Sequence, residues 1–161
     1  MVYSEAMFEG RTDTDAAGVS LRSVDAENWR ACAALEVAHE QRDFVMPVSY
    51  YLALCHYGDV WHPLAICRGA EVVGFVMWAV DPSDRSGWLG GLTIDRRHQG
   101  RGYGSAAVEA VLRRLRDEHG CSSAALSYSP PNVRARKLYA SLGFQETGEL
   151  EDDELVARKP I

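Results

Sequence analysis

Residues 95–115 read DRRHQGRGYGSAAVEAVLRRL, and the stretch leading into them, 88–95, reads WLGGLTID. This pairing constrains the fold more than any other feature of the chain. An apolar strand runs into a loop with glycines at 100, 102 and 104, and an amphipathic helix follows at once. Ala106, Ala107, Ala110, Val111, Leu112 and Leu115 recur at helical spacing, while Glu109, Arg113, Arg114, Arg116, Asp117 and Glu118 fall mostly on the other side. Gly120 is placed to end that helix, and CSSAALSYS (121–129) reads as the next strand. A strand–helix–strand unit over about residues 88–128 requires a right-handed crossover. The chain is therefore expected to be an α/β domain with a mixed sheet.

The remaining segments fit one such domain. GVSLRSV reads as a first strand, and DAENWRACAALEVAHE as a helix with Asp25 as N-cap. A second short helix is expected over Val48 to Cys55, after Pro47. HPLAICRGAEVVGFVMWAV is two apolar runs around Arg68-Gly69-Ala70-Glu71, the chemistry of a hairpin. Gly90-Gly91 interrupts the strand WLGGLTID, and glycine inside a strand often marks a bulge or a close backbone approach. Pro130-Pro131 break the strand after the crossover. NVRARKLYASLGF then reads as a helix with Asn132 as cap and Gly143 just past its end. Two closing strands are expected to turn around Glu151–Asp153. The domain should span 18–161, with residues 1–17 as a flexible arm.

The glycine loop has a definite chemistry. A helix N-terminus leaves backbone N–H groups unpaired and carries about half a positive charge. Glycines let that backbone come close to a diphosphate. Arg96, Arg97 and Arg101 either meet further phosphates or stay solvated. A Walker loop is excluded, because no lysine and hydroxyl follow the glycines in the required order. A dinucleotide fingerprint fits poorly: Ser105 stands where its third small residue belongs, and no strand-end acid about 20 residues on can grip a ribose. Gln99-Gly100-Arg101-Gly102-Tyr103-Gly104 instead fits Q-x-x-G-x-G in full.

With GLTID before it and NVRARKLYASLGF after it, this loop resembles the GNAT family of N-acetyltransferases. Asn132, Ala135, Tyr139, Gly143 and Phe144 match the family pattern N-x-x-A-x-x-x-Y-x-x-x-G-F. The resemblance covers about residues 18–159. VVGFVMW and GELEDDELVARK are further similar to members that acetylate diamines and polyamines such as spermidine. The fold implied is a single domain with a central, mostly antiparallel mixed sheet, a splayed strand pair and helices on both faces.

The resemblance implies acetyl-coenzyme A as cosubstrate and direct attack by an amine. Gln99, Gly100, Arg101, Gly102, Tyr103, Gly104 and Ser105, with Arg97, would hold the pyrophosphate. The exposed edge of Leu92, Thr93 and Ile94 would bond the pantetheine arm as a sheet bonds an added strand. A backbone N–H near Leu92 would polarise the thioester carbonyl. Asn132 and Tyr139 lie two helical turns apart and share a face. The resemblance gives Asn132 a coenzyme contact and makes Tyr139 the hydrogen donor to the departing sulfur. With phenol near pKa 10 and thiol near 8.5, full transfer is uphill by roughly 2 kcal/mol, so Tyr139 is pictured as a hydrogen-bond donor.

The acceptor side is less defined. An alkyl amine is only about one part in 10³ neutral at pH 7, so a carboxylate or a water relay must remove its proton. Polyamine-acetylating members often carry an acid where this chain has Gly90 or Gly91. Asp81, Asp84, Glu149 and Glu151 are the substitutes considered. Glu36, Glu40 and Asp43 would attract a cation, with Phe44, Tyr50, Tyr51 and Tyr57 as walls, and Tyr128 lining the cleft. His39, His56 and His62 have no metal spacing, and no metal is expected. The net charge of −6 argues against nucleic acid as partner. Cys32, Cys55, Cys67 and Cys121 form no C-x-x-C and are expected to be buried thiols. Without an apolar span or signal core, we expect a cytoplasmic protein, free of membrane, acting as a homodimer on a small primary amine, polyamine-like before others. The alternatives are a non-catalytic coenzyme A-binding regulatory domain, or acetylation of an amino acid, an aminoglycoside or a protein N-terminus.

Overall fold

The computed structural model of the protein describes residues 18–161, and the arm expected over residues 1–17 lies outside the described residues. The strands are β1 (Val19–Ser23), β2 (His62–Arg68), β3 (Glu71–Val80), β4 (Gly87–Ile94), β5 (Ser123–Tyr128), β6 (Gln145–Glu151) and β7 (Glu154–Pro160). They form one sheet in the order β1-β2-β3-β4-β5-β7-β6. Every neighbouring pair is antiparallel except β4–β5. The helices are α1 (Trp29–Ala33), α2 (Val48–Tyr57), α3 (Tyr103–Asp117) and α4 (Val133–Ser141). The crossover expected from the glycine loop is β4–α3–β5, and it supplies the single parallel pair.

Both faces of the sheet are covered, because alternate residues of each strand point to opposite sides. Leu64, Ile66, Val76 and Leu89 join Ala107, Val108, Val111 and Leu115 of α3 in the larger core. Ala65, Cys67, Phe75 and Met77 point the other way and meet Cys32, Leu35 and Val48. The four cysteines are free thiols; Cys32, Cys67 and Cys121 are buried and Cys55 is half-buried. Among the described residues no helix is long and apolar enough to cross a membrane.

One element is much shorter than its sequence suggests. The helix expected from Asp25 through Glu40 is only Trp29–Ala33, and its N-cap is Asn28. Asp25 instead accepts from the N–H groups of Glu27 and Asn28, a turn that precedes the helix. The chain then leaves helical geometry because Glu36 is bonded elsewhere. Its N–H donates to Asp95 at 3.3 Å, and its carbonyl accepts from Arg96 N–H at 2.7 Å. Leu35 turns into the core beside it. The closing hairpin turns at Asp152 and Asp153, both at positive φ (49° and 66°), the signature of a type I′ turn.

Candidate active site

β4 and β5 are paired only where they start. Gly87 faces Ala124 and Trp88 faces Ala125, and beyond these the strands part. β5 continues to Tyr128 against β7, while β4 continues to Ile94 against β3. The divergence begins at a bulge. Between the pairs Phe75–Thr93 and Met77–Gly90, β4 carries one residue more than β3. Gly91 sits in the bulge at φ +62°, a backbone state costly to any residue with a Cβ. Thr93 is buried and its hydroxyl donates to the Gly91 carbonyl at 3.1 Å, which fixes the bulge. Asp95 N–H donates to Val73 on the β3 side, so by alternation the main-chain groups of Leu92 and Ile94 face the gap. Ile94 carbonyl is taken by the Gln99 side chain at 2.9 Å.

The glycine loop lies at the wide end of this gap. A 3-10 turn, Arg96–His98, leads into it, capped by Asp95. Asp95 is buried and accepts from Arg97 N–H (3.0 Å), Arg97 Nε (2.8 Å) and Glu36 N–H. Burial pushes its carboxyl up, but those hydrogen bonds outweigh burial and hold it below the ordinary range. Gly100 and Gly102 are at φ +76° and +80°, with open space beside both. Gly102 is the N-cap of α3 and offers no side-chain cap. The first helical bond runs from Ala106 N–H to Gly102 carbonyl, so the N–H groups of Tyr103, Gly104 and Ser105 have no acceptor within the helix. Tyr103 contributes backbone only, because its ring is buried in the core. A Cβ at Gly104 would meet only Ile94 and Leu138, at ordinary contact distance. The protein itself thus does not require glycine at 104.

Two of the expected binding residues turn out to hold the loop together. Gln99 donates to Gln41 and Ile94 and accepts from Arg134. Arg97 is tied to Asp95 and otherwise exposed. Arg101 is exposed at the loop tip. Asn132 caps α4 by accepting from Ala135 N–H at 3.1 Å.

Tyr139 of α4 packs between Tyr128, stacked with ring centroids 5.7 Å apart, and Phe144, edge-on at 6.0 Å. Burial, and after it the charges of Tyr51, Glu154 and Tyr128, push its phenol far above the ordinary value. These groups come from α2, β7 and β5, so the hydroxyl lies within electrostatic reach of both faces of the gap. Among the described residues it has no hydrogen-bond partner. Tyr128 is buried, and its hydroxyl donates to Glu146 Oε1 at 2.7 Å. Arg136 Nε meets the same oxygen at 2.7 Å. Tyr128 therefore fixes the Tyr139 ring rather than presenting a polar group to the gap.

On the opposite face, Tyr51 lies flat on Phe75 (6.2 Å between centroids, 10° between planes) and accepts from Met46 N–H. Its ring would stand 3.2 Å from a Cβ at Gly91. A Cβ at Gly90 would meet Met77 at 2.9 Å and the Trp61 ring at 3.1 Å. The place where an acid was sought is thus filled by Tyr51 and Trp61. Trp61 was not singled out in the sequence, where it is only an aromatic before a strand.

The other expected acceptor residues are dispersed. Glu36 pairs with Arg96 at 3.2 Å beside the glycine loop. Glu40 is exposed, and Phe44 is half-buried in the segment before α2. Asp81 accepts from Ser83 in the β3–β4 turn, at the closed end of the β4–β5 pair. Asp84 lies in the same turn, bonded to Ser86 and 3.5 Å from Arg158. Glu149 and Glu151 are exposed on β6. A carboxylate outside the expected set is Glu154, the first residue of β7, which accepts from Ser127 Oγ of β5 at 2.6 Å and whose charge helps raise the Tyr51 and Tyr139 phenols. No sequence pattern marked it. The one available signal was its place just after the Asp152-Asp153 turn. A concavity of about 510 Å³ lies elsewhere, lined by residues such as Asn28, Leu35, Glu71, Asp95 and Arg97. Its buried carboxylate, Asp95, is already committed to the turn.

The comparisons with known proteins agree with this geometry. Residues 22–144 match the model of the acetyltransferase (GNAT) family. A spermine/spermidine N(1)-acetyltransferase of Bacillus subtilis is 29% identical over 142 residues, covering 83% of this chain and 91% of the relative. An L-2,4-diaminobutyric acid acetyltransferase of Streptomyces avermitilis is 26% identical over 127 residues, covering 76% of this chain and 70% of the relative. The solved structure of a spermidine N-acetyltransferase from Vibrio cholerae, in complex with CoA and spermine, superposes with a TM-score of 0.71 at 17% identity; it covers 90% of this chain and 95% of that one, a likeness of fold. The parted β4–β5 pair, the glycine-loop helix start and the family match over most of its length make this chain an N-acetyltransferase of the GNAT family.

Proposed function

We propose that the protein transfers the acetyl group of acetyl-coenzyme A to a primary amine of a small, polyamine-like cation. The observation that carries this is the β4–β5 gap, which has a phosphate-binding helix start on one side and aromatic and acidic side chains on the other. The residues fit the donor. Free N–H groups at Tyr103, Gly104 and Ser105 suit a pyrophosphate, and glycine at 104 answers a close approach that the protein's own packing does not demand. Arg101 and Arg97 add positive charge at the loop. The Leu92 carbonyl and the Ile94 N–H, which face the gap, suit the amide-bearing arm, and the Leu92 N–H suits the thioester oxygen; the Ile94 carbonyl is already held by Gln99. When bound, acetyl-coenzyme A supplies an activated acetyl carbon.

What the chain's own groups do follows from their surroundings. Tyr139 keeps its proton, so its hydroxyl donates to the leaving sulfur rather than acting as a base. Tyr128, Phe144 and the Glu146–Arg136 pair hold that ring in place. Tyr51 and Trp61 present aromatic surface to the acceptor, a setting that favours a cation. The similarity to the spermine/spermidine and diaminobutyric acid enzymes supports an acceptor with more than one cationic centre.

The test is mass spectrometry of products from a mixed amine panel incubated with acetyl-coenzyme A. Di- and polyamines should gain one acetyl group in preference to monoamines, amino acids, aminoglycosides and peptide N-termini. Coenzyme binding without any acetylated product would instead identify a non-catalytic coenzyme-binding domain.

A further inference from the structure

We propose that Glu154 is the group that takes the proton from the acceptor ammonium, and that Ser127 holds it in place. This rests on the reading that the protein acetylates a cationic amine. Glu154 lies beyond residues 22–144, so the family match does not extend to it.

Four observations place Glu154 there. First, its face of the sheet is fixed by register. Ser127 is opposite Val156 and Tyr128 is opposite Leu155. Tyr128 and Leu155 belong to the core against α3. Ser127, Val156 and hence Glu154 therefore point to the other face, the one α2 covers with Tyr51. Second, the carboxylate is anchored but only half used. Ser127 Oγ donates to Oε2 at 2.6 Å, while Oε1 accepts from no described residue. Third, it stands close enough to Tyr51 and Tyr139 for its charge to raise both phenols. Fourth, Tyr51 and Trp61 close the space at Gly90 and Gly91, so the acid has to come from another strand, and β7 is the strand beside β5.

The charged and titratable groups around it do not compete. Glu151 faces it across the hairpin, and Tyr51 and Tyr139 are neutral donors. Arg158, four residues along on the same face, is drawn off to Asp84 and lies over the Trp88 ring. Among the described residues no cation pairs with Glu154, which leaves its charge for an incoming ammonium.

The proton balance is simple. Glu154 takes one proton from the ammonium, and the freed lone pair attacks the acetyl carbonyl carbon. The C–N bond forms and the C–S bond breaks. Of the two protons the nitrogen loses, one passes through Glu154 to solvent. The other is matched by the proton the sulfur gains, with the Tyr139 hydroxyl donating at that atom.

The experiment compares wild type, Glu154→Gln and Ser127→Ala with acetyl-coenzyme A and two acceptors: spermidine, and 2,2,2-trifluoroethylamine, which is neutral at pH 7. For Glu154→Gln we expect kcat/KM for spermidine at pH 7 to fall about 10²- to 10⁴-fold. It should recover about tenfold per pH unit as free amine accumulates, with KM for acetyl-coenzyme A unchanged. With the neutral amine the loss should be under about tenfold. Ser127→Ala should show the same pattern with a smaller loss, whereas a variant that merely misfolds would lose both acceptors and the donor KM together. Equal losses with both amines, a pH-independent loss, or wild-type rates for spermidine in Glu154→Gln would each overturn the role of Glu154 while leaving the acetyltransferase reading intact. A wild type that acetylates no cationic amine would overturn that reading and this proposal with it.

Discussion

At the residue scale, the proposed function puts its heaviest demand on Tyr139, and Gly91 sets the bulge in β4. Tyr139→Phe removes one hydroxyl that has no described partner, so the fold should keep its stability. We expect kcat to fall about 10²-fold, with acetyl-coenzyme A KM within about twofold, measured by thiol release. Equal turnover would remove Tyr139 from the reaction. Because its phenol is raised, wild-type kcat should show no loss from Tyr139 ionisation up to pH 9. Cys32 gives a separate test. Burial, then the charges of Cys67 and Asp25, push its thiol up to about 11. The folded thiol thus stays protonated after the unfolded one ionises. Its stabilising effect is complete below about pH 9 and is gone above about pH 11, a loss of about 1–3 kcal/mol. Thermal unfolding between pH 8 and 11 should show this fall, reduced in Cys32→Ala. In the sequence, Tyr139 was marked out by the spaced motif that surrounds it. Gly91 was legible as a bulge, since glycine inside a strand marks one, and β4 does leave register there. Why no acid stands there was not legible: the Tyr51 ring fills the space, and it comes from 40 residues earlier and leaves no mark on the local pattern.

At the element scale, the glycine loop is a small scaffold with an open mouth. Gln99 joins β4, α4 and the segment before α2, and Asp95 joins the 3-10 turn to the end of α1's loop. On the proposed function, Gly102 is the point where this scaffold would meet the coenzyme. At φ +80° with nothing within 4 Å of a Cβ, Gly102→Ala meets no clash and only the left-handed backbone penalty of about 1–2 kcal/mol. Donor KM should rise several-fold while acceptor KM holds. An unchanged donor KM in a folded variant would contradict the assignment of the loop. α3 was readable from sequence because its burial is one-sided, and the β2–β3 hairpin because two continuous apolar runs, buried on both faces, flank a glycine-containing turn. α1 was not. Its apolar spacing continues past Ala33, but the backbone of Glu36 is captured by Asp95 and Arg96, almost 60 residues away. Periodicity carries no trace of such a bond. Glu154 was missed for a similar reason, since its partner Ser127 lies on a different strand.

At the scale of the whole molecule, one parted strand pair joins two unlike halves. On the proposed function, α3, α4 and the glycine loop would build the donor side, and α2 with the β7 end the acceptor side. The donor half is dense in backbone geometry, which glycines and caps reveal in sequence. The acceptor half depends on side chains gathered from α2, β2's approach, β5 and β7, which only the fold brings together. β6 is exposed along its whole length at the sheet edge. The most direct measurement is a crystal structure with coenzyme A and spermidine. The pyrophosphate should lie on the N–H groups of Tyr103, Gly104 and Ser105, the sulfur within hydrogen-bond reach of Tyr139, and a primary amine beside Glu154 and Tyr51. Coenzyme A bound outside the β4–β5 gap, or both ligands on the same face of the sheet, would contradict it.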